Sequence, residues 1–263
     1  MKLYRYLERA KEQLQWFCLS LTFLTRCPIP IRGEVTPKAL ARCHRWFALS
    51  GALIGLGLAL VYGLAVAVLP VPAAVLVTLV ASLLLTGALH EDGLADCVDG
   101  LGGGRTLEER LAIMKDSRVG SYGVLALVVS VLGRLVFLSA LGAVSVELVA
   151  AALMVVNATS RATAALLMGA LPYLRREGPS RVRAMTGEQQ TSDRFWLAGV
   201  TLLLMFLLAG PFKGAVLAMG ALFIGVVLWY WFKSRLGGVT GDALGAAQQV
   251  SELGLYLLWV ALV

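Results

Sequence analysis

Apolar runs of bilayer-spanning length recur along this chain and set its fold class. They cover residues 46–69, 72–89, 121–143, 146–170, 195–210, 214–232 and 243–263. A spanning helix needs about 20 mainly apolar residues. Hydrocarbon offers no partner to backbone N–H and C=O groups, so such segments cross as helices. The expectation is an all-α, polytopic integral membrane bundle of about seven transmembrane helices, with residues 1–263 forming a single domain. Composition agrees, with 59% hydrophobic and 15% charged residues; soluble domains carry roughly 45–50% apolar and 25% charged. Segment 14–25 is too short to span and reads as re-entrant or interfacial. Segment 2–16, charged and amphipathic, reads as an interfacial helix or as a tail packed on the protein. The run from Trp16 to Thr25 holds no small-residue cleavage site, so no cleavable signal peptide is expected.

Positive charge orients the bundle. Lys2, Arg5, Arg9, Lys11, Arg26, Arg32, Lys38, Arg42 and Arg45 precede the first span. Arg105, Arg110, Lys115 and Arg118 follow the second, Arg175, Arg176, Arg181, Arg183 and Arg194 the fourth, and Lys233 and Arg235 the sixth. The opposite loops hold only Lys213. This asymmetry predicts the N-terminus inside and the C-terminus outside. The polar loops 26–45, 90–120, 171–194 and 233–242, and with them any active site, then face the cytoplasm. The net charge of +7 is thus a signal of topology; no aromatic-basic motif for nucleic acid is present. Cys18, Cys27, Cys43 and Cys97 form no C-x-x-C pair, and His44 and His90 are the only histidines. No zinc site can be assembled from them at the usual spacing, and the cysteines are expected to be reduced and packed.

The chemistry concentrates in segment 90–120, which holds seven of the chain's sixteen acidic residues. Asp92, Asp96 and Asp99 are spaced four and three apart, which places them on one helical face. Clustered carboxylates repel one another unless a cation sits among them, and hard oxygen donors suit Mg²⁺ or Mn²⁺. Asp116 could complete such a site. Gly100-Leu101-Gly102-Gly103-Gly104 would let backbone N–H groups approach phosphate oxygens, with Arg105, Lys115 and Arg118 supplying charged donors. A solvated surface helix with a flexible glycine loop is the alternative. G-x-x-x-x-G-K-[ST] is absent, so this is not a P-loop. The order Asp96-x-x-Asp99-Gly100, Arg105, Asp116 loosely resembles CDP-alcohol phosphotransferases but departs from their full spacing.

Polar residues also interrupt the spans. Arg134 and Arg161 should face the protein interior or a wet cavity. Arg134 reads as a packing or snorkelling residue. Arg161, in the polar island Asn157 to Thr163, reads equally as a phosphate ligand or an internal hydrogen-bonding partner. Asp242, in Gly237-Gly238-Val239-Thr240-Gly241-Asp242, reads as a pocket wall or a helix cap. Glu252 is functional or paired with an arginine. Gly51, Gly55 and Gly57 suggest close helix packing.

The segments Leu85–Gly100 and Arg110–Gly120 resemble the signature of the cobalamin synthase (adenosylcobinamide-GDP ribazoletransferase) family. So do Phe23–Pro30, Ser160–Met168 and Gly237–Ala246, so the likeness covers nearly the whole chain in order. Two positions depart: Glu91 stands where the family is usually apolar, and Ala88 where a second glycine is common. The resemblance implies a Mg²⁺-requiring transferase of the bacterial or archaeal plasma (inner) membrane. Its partners would be adenosylcobinamide-GDP, α-ribazole or α-ribazole 5′-phosphate, and the lipid membrane, with no nucleic acid; a homo-oligomer or a complex with other cobalamin-assembly enzymes is left open. In that reading Asp92, Asp96, Asp99 and Asp116 hold the metal, and Arg105, Lys115, Arg118, Arg161 and Asp242 bind substrate. His90 or one of Asp92, Asp96 and Asp116 serves in proton transfer. Two other classes stay open: a transferase using another nucleotide donor, and a transporter, although no internal repeat is visible.

Overall fold

A computed structural model describes residues 2–174, 185–186 and 189–263, with side chains from residue 6 onward. Arg175, Arg176, Arg181 and Arg183 lie outside the described residues, as do the side chains of Lys2 and Arg5. The described residues form α1 (Lys2–Leu24), α2 (Pro37–Arg42), a 3₁₀ turn (Cys43–Trp46), α3 (Phe47–Val66), α4 (Val71–Thr86), α5 (Leu89–Gly103), α6 (Leu107–Ile113), α7 (Ser121–Gly142), α8 (Val146–Ala170), α9 (Thr191–Leu236) and α10 (Gly241–Val260).

Four stretches are long and apolar enough to cross a membrane: Pro37–Val66, α7, α8 and α9. The pair α4 and α5 makes a fifth only if counted as one bent span. The expected seven are therefore not established by length and apolarity alone. One reason is α9, whose 46 residues would reach roughly 69 Å if straight, against a hydrocarbon core of roughly 30 Å. Gly210 interrupts it with φ 79° and ψ 170°, directly before Pro211. A Cβ on Gly214 would meet the Met205 carbonyl oxygen at 2.9 Å, so the chain folds back there as a helical hairpin. Its arms match the apolar runs 195–210 and 214–232.

α8 runs through the middle of the bundle. Its N-terminus is capped by Ser145, whose hydroxyl accepts from Leu148 N at 3.1 Å. On α3, a Cβ at Gly51 would strike the Asn157 backbone and one at Gly55 the Leu153 backbone, so these two glycines bring α3 and α8 into backbone contact. Gly57 faces open space and takes no part. α1 is one continuous helix, with no break between the interfacial and re-entrant pieces expected; Trp16, Leu19 and Leu24 are buried in the core. Arg42 donates to the fully buried Asp193 at 2.8 Å, tying α2 to the start of α9. All four cysteines are free; Cys43 and Cys97 are buried, Cys18 is half-buried and Cys27 is exposed.

Two left-handed residues place the acidic helix. Gly87 (φ 69°) and Ala88 (φ 55°) end α4 and begin α5. They turn the chain by 87°, so α5 leaves the direction of α4. Glycine adopts that backbone freely and alanine does not. The expected span 72–89 accordingly stops at Thr86.

Candidate active site

α5 packs chiefly against α10 and α7, and glycines set how closely. A Cβ on Gly93 would lie 3.0 Å from the Asp242 carbonyl oxygen and 3.2 Å from the Gly245 Cα. The crossing of α5 and α10 therefore depends on two residues without side chains. It brings the start of α10, capped by Thr240 through Ala243 N at 3.1 Å, beside the acidic face of α5.

A cavity of about 180 Å³ opens at this crossing. His90 and Asp92 of α5, Arg161 of α8 and Asp242 of α10 all line it. Four residues from three separate stretches of sequence thus converge on one site. The rest of the wall is largely apolar, including Phe23, Phe47 and Met168. Phe23 and Met168 fall in the segments Phe23–Pro30 and Ser160–Met168 that carry the family resemblance, whereas nothing in the sequence distinguished Phe47 from the apolar background of the chain. Tyr173 joins the wall through a short parallel bridge in which Leu174 N donates to Val239 O and Val239 N to Pro172 O, both at 2.9 Å.

The three aspartates of α5 meet different neighbours along the helix. Asp92 is exposed, Asp96 half-buried and Asp99 buried. Asp99 accepts from Gly120 N at 2.7 Å and Gly123 N at 2.8 Å, one bond on each carboxylate oxygen. These donors are backbone N–H groups at the start of α7, where the helix dipole favours an anion. Gly100–Gly103, expected as a loop, instead form the last turn of α5. Gly100 lies against Met114 and Arg110 of the α6 region, and Gly102 against Tyr122 of α7.

Asp116 and the basic residues of this stretch sit away from the cavity. Arg118 chelates Asp116 through both Nε and Nη2, with Nη2 to Oδ2 at 2.6 Å. These bonds hold the Asp116 carboxyl down to about 2. Arg105 and Lys115 are exposed. The backbone N–H of Arg105 donates to Glu109 Oε2 at 2.7 Å, beside the Thr106–Glu109 capping box that starts α6. Asp99 is hydrogen-bonded to the start of α7 and Asp116 to Arg118. Among the described residues, no three His, Cys, Asp or Glu side chains converge as a ready ligand set.

Beneath the acidic face lies a buried polar network. Arg134 is 2% exposed and donates to Glu91 Oε1 at 2.9 Å, with Glu252 Oε1 3.8 Å away. Gln249 Nε2 donates to the same Glu91 oxygen at 3.2 Å, and Gln248 Nε2 to Glu252 Oε2 at 2.6 Å and Ser160 Oγ at 3.0 Å. Arg134 and Glu252 are therefore internal partners. The Gln248–Gln249 pair, polar residues within an apolar helix, was the overlooked signal of this network. Arg161 Nη1 donates to the Asn157 backbone oxygen at 3.1 Å and to Asn157 Oδ1 at 2.7 Å. Its Nε is buried without a partner.

Comparison with known proteins bears on what such a site does. A family described as cobalamin-5-phosphate synthase matches residues 16–260. A protein of Shewanella woodyi named adenosylcobinamide-GDP ribazoletransferase is 38% identical over 248 residues, 94% of this chain and 96% of its own. A protein of that name from Shewanella piezotolerans is 40% identical, over 94% and 95% of the two chains. One from Vibrio vulnificus is 39% identical, over 95% and 97%. No solved structure matches the chain.

Proposed function

Because the chain belongs to the cobalamin-5-phosphate synthase family, we propose that the cavity beneath Asp92 and Asp242 is where that family's group transfer takes place here. The protein is a membrane-embedded transferase of the last steps of cobalamin biosynthesis. It joins adenosylcobinamide-GDP to α-ribazole or its 5′-phosphate and releases GMP. A ribose hydroxyl of the acceptor attacks the phosphorus that carries cobinamide. A new P–O bond forms, the P–O bond to GMP breaks, and the hydroxyl proton passes to a carboxylate of the site or to His90. The observation that carries this reading is the convergence of His90, Asp92, Arg161 and Asp242 on one cavity.

The donor set suits a hard cation of limited protein ligation. Mg²⁺ commonly takes one or two carboxylates and fills its remaining positions with water and substrate phosphate oxygens. Asp92 and Asp96, one turn apart on α5, would hold it, with Asp242 across the helix crossing. When bound there, Mg²⁺ neutralises charge developing on the pyrophosphate. Asp99 then serves to seat α7. Arg105, Lys115 and Arg118, on the α6 side, supply positive charge towards the outer part of a large nucleotide substrate. The charge asymmetry of the loops supports a cytoplasmic mouth, in the plasma or inner membrane.

The test is purified protein in lipid vesicles with adenosylcobinamide-GDP, α-ribazole and Mg²⁺. Release of GMP together with a complete corrinoid, abolished by EDTA and restored by Mg²⁺, is expected. Folded protein that forms neither product would overturn the reading.

A further inference from the structure

We propose that the cavity between α5, α8 and α10 receives the base of the acceptor nucleoside, and that Arg161 reads an acceptor nitrogen on that base. The inference rests on the transferase reading above. It adds which part of which substrate enters the bundle, and what selects it.

Size restricts the occupant. The cavity, about 180 Å³, falls below the roughly 300–1,000 Å³ that drug-sized ligands fill. A corrin ring or a whole guanosine diphosphate is too large for it; a single fused ring system is not. The lining restricts the chemistry. Phe23, Phe47 and Met168 offer two aromatic rings and a polarisable thioether, the surfaces against which a flat apolar ring packs. A benzimidazole, the base of ribazole, has that shape and a single in-plane ring-nitrogen acceptor left once the sugar is attached.

Arg161 supplies the complementary donor. Arg161 lines the cavity, and Asn157 engages only its Nη1. A guanidinium carries five N–H donors and no acceptor, so donors beyond those held by Asn157 can serve a ring nitrogen on a ligand in this cavity. Asp92 and Asp242 also line the cavity. A base seated against the apolar wall would leave its ribose beside those carboxylates, where the attacking hydroxyl is needed. Arg161 thus selects the acceptor by its base, in place of a phosphate-binding role.

The test compares acceptors at saturating adenosylcobinamide-GDP, with GMP release as the readout. The acceptors are α-ribazole, an α-riboside in which the free ring nitrogen is replaced by C–H (a dimethylindole), and one with an additional fused ring. For the wild type, kcat/KM should fall at least about tenfold from the benzimidazole to the indole. Arg161→Met should abolish that difference. Met168→Ala should shift preference towards the extended ring, a gain that misfolding cannot mimic, while the KM for adenosylcobinamide-GDP stays put. Unchanged acceptor preference in both variants would overturn the proposal. So would an Arg161→Met defect that ignores the ring nitrogen but deepens with the acceptor's 5′-phosphate. In either case GMP release by the wild type leaves the transferase reading standing. Absence of GMP release with every acceptor would remove both.

Discussion

Glu91 and Arg134 meet at 2.9 Å inside the bundle, each less than one-tenth exposed, and join the acidic helix α5 to α7. Glu91 is buried between Asp92 and His90, both of which line the cavity, so its anchor fixes how α5 is rolled about its axis. The acid at position 91 is thus an internal residue, and its arginine partner comes from another helix.

The pair predicts an order of damage. Breaking a buried ion pair from one side costs about 3–5 kcal/mol, because the remaining charge is stranded. Arg134→Leu strands two carboxylates, Glu91 and Glu252. Glu91→Leu leaves Arg134 facing Glu252 at 3.8 Å. Arg134→Leu should therefore lower thermal stability more than Glu91→Leu, and the double variant should fall short of the sum of the two losses. Melting curves of the three variants in one detergent check this. Additive losses would mean that the two side chains are energetically independent.

Ala88 offers a stabilising change. Its φ of 55° lies where a non-glycine residue carries a penalty of roughly 1–2 kcal/mol. Ala88→Gly should remove most of that penalty, less the added freedom of the unfolded chain, and raise the melting temperature. Gly87→Ala should do the reverse, since its φ of 69° lies in the same left-handed region. A lower melting temperature for Ala88→Gly would show that the bend does not store this strain.

These positions also show what could be read in advance. α8 was legible to the residue, since Ser145 caps it and the apolar run ends where the helix does. The acidic cluster was legible because carboxylates are rare in this chain. The break after Thr86 was not, because an alanine at position 88 gives no sign of a left-handed backbone. Gly100–Gly103 misled for a related reason: glycines that admit Met114 and Tyr122 look the same in sequence as glycines that form a loop. By apolarity alone the cavity wall of Phe23, Phe47 and Met168 could not be separated from the bundle's ordinary core, although Phe23 and Met168 fall in segments that carry the family resemblance. Only the fold brings these distant positions together.

Asp116 yields a pH prediction. Its carboxyl is held down to about 2 by the Arg118 hydrogen bonds. A depressed carboxyl contributes stability above its unfolded value and loses that contribution as pH falls towards 2. The pair is solvent-exposed, so screening leaves little of it. Asp116→Asn should accordingly melt with the wild type between about pH 5 and 8. A clear drop in melting temperature across that range would show that Asp116 has a buried partner in the working protein.

Asp96 and Asp99 provide the sharpest separation of roles. They lie three residues apart on one helical face, and Asp99 accepts from Gly120 N on one oxygen and from Gly123 N on the other, at the start of α7. If Asp96 holds Mg²⁺ and Asp99 seats α7, their asparagine variants should fail differently. Asp96→Asn should fold and melt like the wild type while kcat falls by about 10²–10³, the range for losing one electrostatic contact to a transition state. Asp99→Asn keeps one carbonyl acceptor and loses the other. It should be less stable by about 1–3 kcal/mol but retain the wild-type Mg²⁺ concentration for half-maximal rate. Titrating Mg²⁺ against GMP release, beside melting curves, reads both properties. A raised Mg²⁺ requirement in Asp99→Asn with unchanged melting would return Asp99 to the metal site, and wild-type turnover by Asp96→Asn would remove Asp96 from it.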